Sequence, residues 1–469
     1  MSLPLILNLL AALGVLAWLY WMQEKHVTFT RRVFAALGAG LLLGAALQAI
    51  HGATSPVIAD TASYLDIVGA GYVKLLQMIV IPLIMVSIVG AILKLKDASS
   101  LGRISVLTIG TLMLTTLVAA SIGVMMAYAF DLSAIGLTSS AAEVARGEYL
   151  QGKLPDAQAI SFPNMVLSFI PENAFLDMTG ARKSSTIAVV VFSILLAIAA
   201  TGIAARKPDE YASFERFVQV THTIVMRLVT MVLRLTPFGV FALMTKMAAS
   251  SSIDNILGLI NFVAASYSAL LLMFGVHLLI IAAIGLQPLR FARKIMPVLA
   301  FAFSSRTSAG SIPMSVQAQT ARLGTPEGIA NFAASFGSTI GQNGCAGIYP
   351  AMLAVMIAPT VGIDPYTVSF LLPMLAIVVI GSVGIAGVGG GATFAALVVL
   401  SSLNLPIALA GLLISIEPLI DMGRTALNVS GSITAGTVTS RLMGQTDMAI
   451  FNSDADADLD NIDAVPVQR

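Results

Sequence analysis

Apolar runs of bilayer length follow one another along most of the chain, separated by short polar connections. They fall at 1–22, 32–50, 66–93, 104–130, 184–204, 215–247 and 253–284, and each predicts a membrane-spanning helix. The first, MSLPLILNLLAALGVLAWLYWM, has no basic start and no small-residue cleavage site, so it reads as a retained helix and not as a signal peptide. Trp18, Tyr20 and Trp21 make an interfacial belt just before Lys25, Arg31 and Arg32. Further basic clusters follow at Lys94, Lys96 and Arg103, at Arg206, Lys207 and Arg216, and at Arg290, Arg293 and Lys294. They fall on alternate connections, and the 51–65 loop has no Lys or Arg, so positive-inside puts every cluster in the cytoplasm and the N-terminus outside. The 131–183 connection is mixed in sign and too long to weigh in that rule.

The C-terminal third departs from simple spans. From Pro365 to Ile416 the chain runs 52 residues without a formal charge, too many for one crossing of about 20 residues. Its middle, GSVGIAGVGGGAT at 381–393, is nearly half glycine and leaves two arms each shorter than a span. Two short arms joined by a glycine tip predict a re-entrant hairpin, which needs protein or a water-filled cavity around it. An earlier hairpin is predicted between Lys294 and Arg322, around the tip SSRTSAGSIP at 304–313. Its flanks are basic, so it enters from the cytoplasm; the glycine hairpin has no basic residue nearby and enters from outside. Opposed hairpins, each followed by an unusual span, are the pattern of an inverted repeat around a midplane site.

Both following spans are unusual. In the first, GSTIGQNGCAG at 337–347 places four glycines, a Gln and an Asn inside a segment without charge from Gly328 to Ile363. In the second, SIEPLIDMGRTALNVSGSITAG at 415–436, Glu417, Asp421, Arg424, Thr425, Asn428 and Ser432 recur at spacings of three and four and so share one helical face. An acid, a base and an amide on one intramembrane stripe predict a binding site, against the plainer reading of self-neutralised charges and helix glue.

Composition agrees. Of 469 residues, 57% are hydrophobic and 10% charged, with mean hydropathy +0.91, where a soluble chain carries roughly a quarter charged. A net charge of +1 gives no reason to expect nucleic acid. The lone Cys345 excludes an intrachain disulfide and a cysteine metal cluster, and the four histidines are scattered without ligand spacing.

Several stretches resemble the dicarboxylate/amino acid:cation symporter family, which has the glutamate-transporter fold. They are KLLQMIVIPLIMVSIVGAI (74–92), FIPENAF (169–175), TPFGVFAL (236–243), RTSAGSIP, GIAGVGGGAT and DMGRTALNVSG, and the likeness runs from Arg32 to about Arg441. The extra N-terminal helix and the GQNG core resemble the bacterial L-cystine branch. The resemblance implies an all-α polytopic membrane protein with about nine transmembrane helices and two opposed re-entrant hairpins, working as a homotrimeric elevator in the cell inner membrane. It divides the chain into an extra helix (1–22), scaffold (23–103 and 131–250), a transport domain and a disordered acidic tail (446–469). The transport domain takes helix 104–130 and the region 251–445, with helix 253–284, hairpin 291–322, helix 327–361, hairpin 366–402 and helix 405–440.

The resemblance also implies a substrate pocket. It draws Arg306, Thr307 and Ser308 from the first tip, Cys345 from the broken helix, and Val388, Gly390, Gly391 and Ala392 from the glycine tip. The last helix contributes Asp421 for the α-amino group, Arg424 for the distal carboxylate, and Thr425 and Asn428. Gly389, Gly390 and Gly391 form the gate. A zwitterion with a distal carboxylate suits this chemistry, since a half-helix terminus and a planar guanidinium each bind carboxylate and a buried acid binds ammonium. For Glu417, pairing with Arg424 is the preferred role over reaching a second ammonium.

Residues with which the family ligates sodium are missing, an asparagine and two aspartates among them: Gly341, Gln342, Asn343 and Gly344 stand at the broken centre, Ser432 later, and Leu112 where a tyrosine carbonyl is usual. One carbonyl-rich sodium site is left, at Thr339, Gln342, Ser382, Val383 and Ile385. The expectation is therefore a symporter, not an enzyme, importing L-cystine with Na⁺ or H⁺ and needing no cofactor; its partners are the small substrate, membrane lipid and its own copies. Acidic amino acids or dicarboxylates are the alternative substrates, and an ion channel is the alternative class.

Overall fold

The computed structural model describes residues 2–93, 99–134, 167–182, 184–250, 260–383, 391–413 and 416–453, and these are helical nearly throughout. Among them, seven helices are long and apolar enough to cross a membrane: Leu3–Glu24, Arg31–His51, Pro56–Gly90, Gly102–Ala129, Pro208–Leu233, Ile260–Ala283 and Asn343–Val361. Seven of the nine expected spans thus have a counterpart. The stretch expected at 184–204 is the shorter apolar helix Ile187–Ile203. The last helix, Glu417–Leu442, is long enough, but Glu417, Asp421, Arg424 and Arg441 lower its hydropathy.

Boundaries differ from expectation in three places. The third helix begins at Pro56, so the polar 51–65 loop shrinks to a tight turn. The run 215–247 is two helices, Pro208–Leu233 and Thr236–Ser250, which meet at Arg234–Leu235. Thr236 donates to the Leu233 carbonyl (2.6 Å) and accepts from the buried Tyr72 hydroxyl (2.6 Å), so the break is held from the third helix. The helix expected at 405–440 starts only at Glu417, after a tighter turn over Ile407–Leu413. The expected start at 253, the 454–469 tail and most of 131–183 lie outside the described residues.

Helix packing follows small residues. The second helix, Phe29–His51, carries Gly40 and Gly44 four apart against Thr236–Ser250. A Cβ at Gly40 would stand 2.8 Å from the Phe241 carbonyl oxygen, and one at Gly44 2.5 Å from that of Thr245. This is the small-xxx-small contact that lets helices approach where no hydrophobic driving force separates helix from lipid. One buried core joins these helices with the third helix, Pro208–Leu233 and Pro288–Ser305. Another joins the fourth helix, Ser99–Ala129, with Ile260–Ala283, the broken helix, Val368–Gly381, Gly391–Ser402 and the last helix. The last helix, which carries the candidate stripe, contributes to both cores.

Several basic residues contact the ends of neighbouring helices. Arg441 donates to the Ile284 carbonyl (3.2 Å), Arg290 to Asn452 (3.0 Å), and Arg103 lies on the Leu442 carbonyl (3.4 Å). These place guanidinium groups on carbonyl-rich helix ends, where the dipole favours them. Lys294 Nζ binds the Arg322, Ile450 and Phe451 carbonyls at 2.8–2.9 Å. The first of these contacts ties helix Pro288–Ser305 to the end of the segment that returns from its tip.

Candidate functional site

The last helix supplies the charged stripe that its three-and-four spacing predicts. Asp421, Arg424, Thr425, Asn428 and Ser432 are all buried, and Glu417, in the first turn, is partly open. Arg424 Nη2 contacts Glu417 Oε1 at 2.6 Å and Asp421 Oδ1 at 3.3 Å. Its guanidinium carbon lies 4.2 Å from the centre of the Tyr349 ring, a cation–π contact, and the Tyr349 hydroxyl donates to Glu417 Oε2 (3.3 Å). Among the described residues, Arg424 Nε and Nη1 are buried without a hydrogen-bond partner. A buried guanidinium in that condition is costly unless something binds it.

The first tip approaches from helix Pro288–Ser305, which ends at Arg306 in the left-handed region, φ 55°. That conformation is unfavourable for a residue with a Cβ and marks a position held by its surroundings. Arg306 Nε reaches Asp421 Oδ2 at 2.9 Å, across 115 positions of sequence. Thr307 and Ser308 are buried; the Thr307 hydroxyl accepts from the Gly310 N–H (3.1 Å) and shapes the turn.

The broken helix completes the floor. Helix Glu327–Gly337 stops, the chain crosses 338–342 without regular structure, and a widened turn over Asn343–Ile348 leads into Tyr349–Ile357. Asn428 Oδ1 accepts from the N–H groups of Gly344 (2.8 Å) and Cys345 (3.2 Å), and its Nδ2 donates to Cys345 Sγ (3.0 Å). One amide therefore caps the new helix start, a role that suits Asn. Two glycines are forced here. Gly341 has φ +64° with the Leu112 main chain 2.9 Å from where a Cβ would sit, and at Gly344 a Cβ would lie 2.7 Å from Arg424 Cα. The glycines of GSTIGQNGCAG thus serve both the break and its close approach to the last helix.

The remaining predicted residues divide. Gly391 and Ala392 open helix Gly391–Ser402, Ala392 is buried, and Ala395 packs on Ala346 of the broken helix. Val388, Gly389 and Gly390 lie outside the described residues, as does Ile385 of the expected sodium site. Of that site, Thr339 is buried beside the break and Ser382 ends helix Val368–Gly381 near Met113. Val383 follows it, packed at the edge of a neighbouring core. The Gln342 carbonyl already accepts from Ala346 N (2.8 Å) and Gly347 N (3.1 Å), so its two lone pairs are engaged. These residues fit a cation site only through Thr339, Ser382 and Val383, main-chain oxygens that suit a hard ion weakly.

Asn343 lies in a network that spacing did not reveal. Thr115 and Thr116 both donate to the Leu112 carbonyl (3.0 and 2.8 Å), so they accept from Asn343 Nδ2 at 3.1 and 3.3 Å. Asn343 Oδ1 then accepts from His277 Nε2 (3.0 Å), and His277 Nδ1 meets the Ser430 hydroxyl (3.0 Å). The amide thereby fills, with its own N–H groups, a nest of oxygens. His277 and Tyr349 are the contributors that sequence reasoning missed: a lone His and a Tyr in apolar runs show no spacing signal.

The sequence itself is similar to known proteins. Residues 29–442 match the sodium:dicarboxylate symporter family. The chain is 55% identical over 445 residues to the L-cystine uptake protein TcyP of Bacillus licheniformis, covering 95% of this chain and 96% of that one. It is 53% identical over 451 residues to the protein of the same name from Bacillus subtilis, covering 96% and 97%. A helix broken at glycines, an acid–base stripe facing the break, and likeness over nearly the whole length agree, and the chain belongs to the sodium:dicarboxylate symporter family.

Proposed function

We propose that this protein imports L-cystine across the bacterial inner membrane by cation-coupled symport. The observation that carries the reading is the buried Arg424 with two unpartnered donors beside Asp421, on a stripe facing a capped helix break. Asp421 takes an α-ammonium, Arg424 takes a carboxylate in two places, and the N–H groups of the tip at Thr307–Ser308 take the other carboxylate. Thr425, Asn428 and Cys345 line the pocket, and Val388, Gly390, Gly391 and Ala392 close it. Full-length relatives named for L-cystine uptake support the substrate.

In this mechanism the segments 291–322 and 366–402 are re-entrant hairpins, and Gly389–Gly391 form the outer gate. The transport domain, 104–130 and 251–445, slides against a scaffold, 23–103 and 131–250, that holds a homotrimer, with 1–22 an added helix. Coupling uses at most one Na⁺, at Thr339, Ser382, Val383 and Ile385, the expected Gln342 carbonyl being committed to the Ala346 and Gly347 N–H groups, or a proton. The absence of a carboxylate at Gly341, Asn343 and Ser432 supports that number.

The test is counterflow in proteoliposomes. Internal unlabelled L-cystine should accelerate entry of labelled L-cystine, while aspartate and dicarboxylates compete poorly. Better competition by aspartate than by cystine makes the protein an acidic amino acid symporter. Cation conductance without counterflow makes it a channel.

A further inference from the structure

We propose that Glu417, backed by Tyr349, receives the second ammonium of a two-headed substrate and so selects diamino diacids over substrates with one amino acid head. This rests on the reading that the site takes cystine. Four charged side chains face the site as two acid–base pairs: Arg306 with Asp421 at 2.9 Å and Arg424 with Glu417 at 2.6 Å. The pairs touch through Arg424 and Asp421 at 3.3 Å. An α-amino acid head carries an ammonium and a carboxylate on one carbon, so the complement of one head is an acid and a base in contact. Two such complements stand side by side here. Cystine is two heads joined through a disulfide, whose usual geometry sets the α-carbons about 4.4–6.8 Å apart. The two pairs adjoin through the 3.3 Å Arg424–Asp421 contact, as heads so closely linked require.

The details single out Glu417. Its side chain is 20% exposed, against 8% for Asp421 and 1% for Arg424, so it is the acid with room to meet a ligand. Arg424 has Nε and Nη1 to offer an incoming carboxylate while Nη2 still holds Glu417. Once that carboxylate is bound, one guanidinium serves three acids: Glu417, Asp421 and the substrate. A second ammonium on the same carbon as that carboxylate restores the balance, because it lands on Glu417. The four site charges sum to zero, as do the four of cystine. A diacid with a single ammonium brings one negative charge more, beside Glu417, and like charges at an interface are strongly opposed.

A plain counter-ion role predicts something different. If Glu417 only holds Arg424 in place, its neutralisation weakens every substrate alike. The experiment measures uptake and competition in proteoliposomes with two probes, L-cystine and the mixed disulfide of L-cysteine with 3-mercaptopropionate. The second probe keeps both carboxylates and the disulfide and lacks only the far ammonium. The wild type should prefer cystine by about 10- to 100-fold, the value of one charged hydrogen bond. Glu417→Gln should lose most of that preference, with cystine weakened and the mixed disulfide unchanged or improved; Glu417→Asp should retain part of it. A wild type that takes both probes alike overturns the inference, and that comparison decides alone if the variants do not fold. A Glu417→Gln protein that weakens both probes by the same factor overturns it too. A wild type that takes neither probe contradicts the cystine reading itself.

Discussion

Asn428→Ala tests how the broken helix holds the site. Asn428 Oδ1 accepts from two buried N–H groups, Gly344 and Cys345, at 2.8 and 3.2 Å. Alanine leaves both donors without a partner in a region from which water is excluded. Each orphaned donor costs about 1–3 kcal/mol, so the pair costs about 2–6 kcal/mol. That is comparable with the net stability of a typical domain, about 5–15 kcal/mol. The loss is local, because the freed main chain at Gly344 lies against Arg424, and cystine affinity should fall together with thermal stability. Asn428→Asp keeps an acceptor for both N–H groups but loses the contact to Cys345 Sγ and brings a carboxylate into a buried position, so it too should be damaged. The assay heats detergent-solubilised protein and follows the monodisperse fraction by fluorescence-detected size exclusion, with cystine binding measured on the same samples. An Asn428→Ala protein that keeps wild-type heat resistance and affinity refutes the capping argument.

Three further outcomes follow. Gly344→Ala places a methyl 2.7 Å from both Arg424 Cα and its carbonyl oxygen, main-chain atoms that cannot move aside cheaply; cystine uptake should collapse, and wild-type uptake contradicts the packing. Sodium titration at fixed pH should give a Hill coefficient no greater than one, and a value clearly above one means that Asn343 or main-chain groups rebuild sites counted as lost. Gly390→Val should slow uptake while assembly is retained, and a cross-link between cysteines placed on the glycine tip and the last helix should be blocked by cystine; a cross-link indifferent to cystine rules out the gate.

The stripe on the last helix was legible because helix periodicity alone puts positions 417, 421, 424, 425, 428 and 432 on one face. The break at 338–342 was legible because glycines and amides in an apolar run have no other economical explanation. Contacts between distant segments were not. The Arg306–Asp421 pair spans 115 positions, and His277 reaches Asn343 across 66; no local pattern encodes either. The preferred reading of Glu417 as partner of Arg424 agrees with their 2.6 Å contact, which seven-residue spacing on a helix allows. The start at Pro56 was misjudged because the helix runs back past its apolar stretch through Asp60, Thr61 and Ser63, whereas the break before Thr236 was missed because hydropathy carries across a turn between two apolar helices. The proline at position 237, near the start of its helix, was the available signal for the second.

Equilibrium binding of labelled L-cystine to purified wild type, Arg424→Ala and Asp421→Asn tests the central claim most directly. Truncating one partner of a buried charged contact costs about 2–5 kcal/mol, a loss of about 30-fold to several thousand-fold in affinity. The account predicts saturable binding to the wild type and a loss of affinity of at least about 30-fold in either variant, with all three eluting as the same oligomer. An Arg424→Ala protein that binds L-cystine as tightly as the wild type contradicts it.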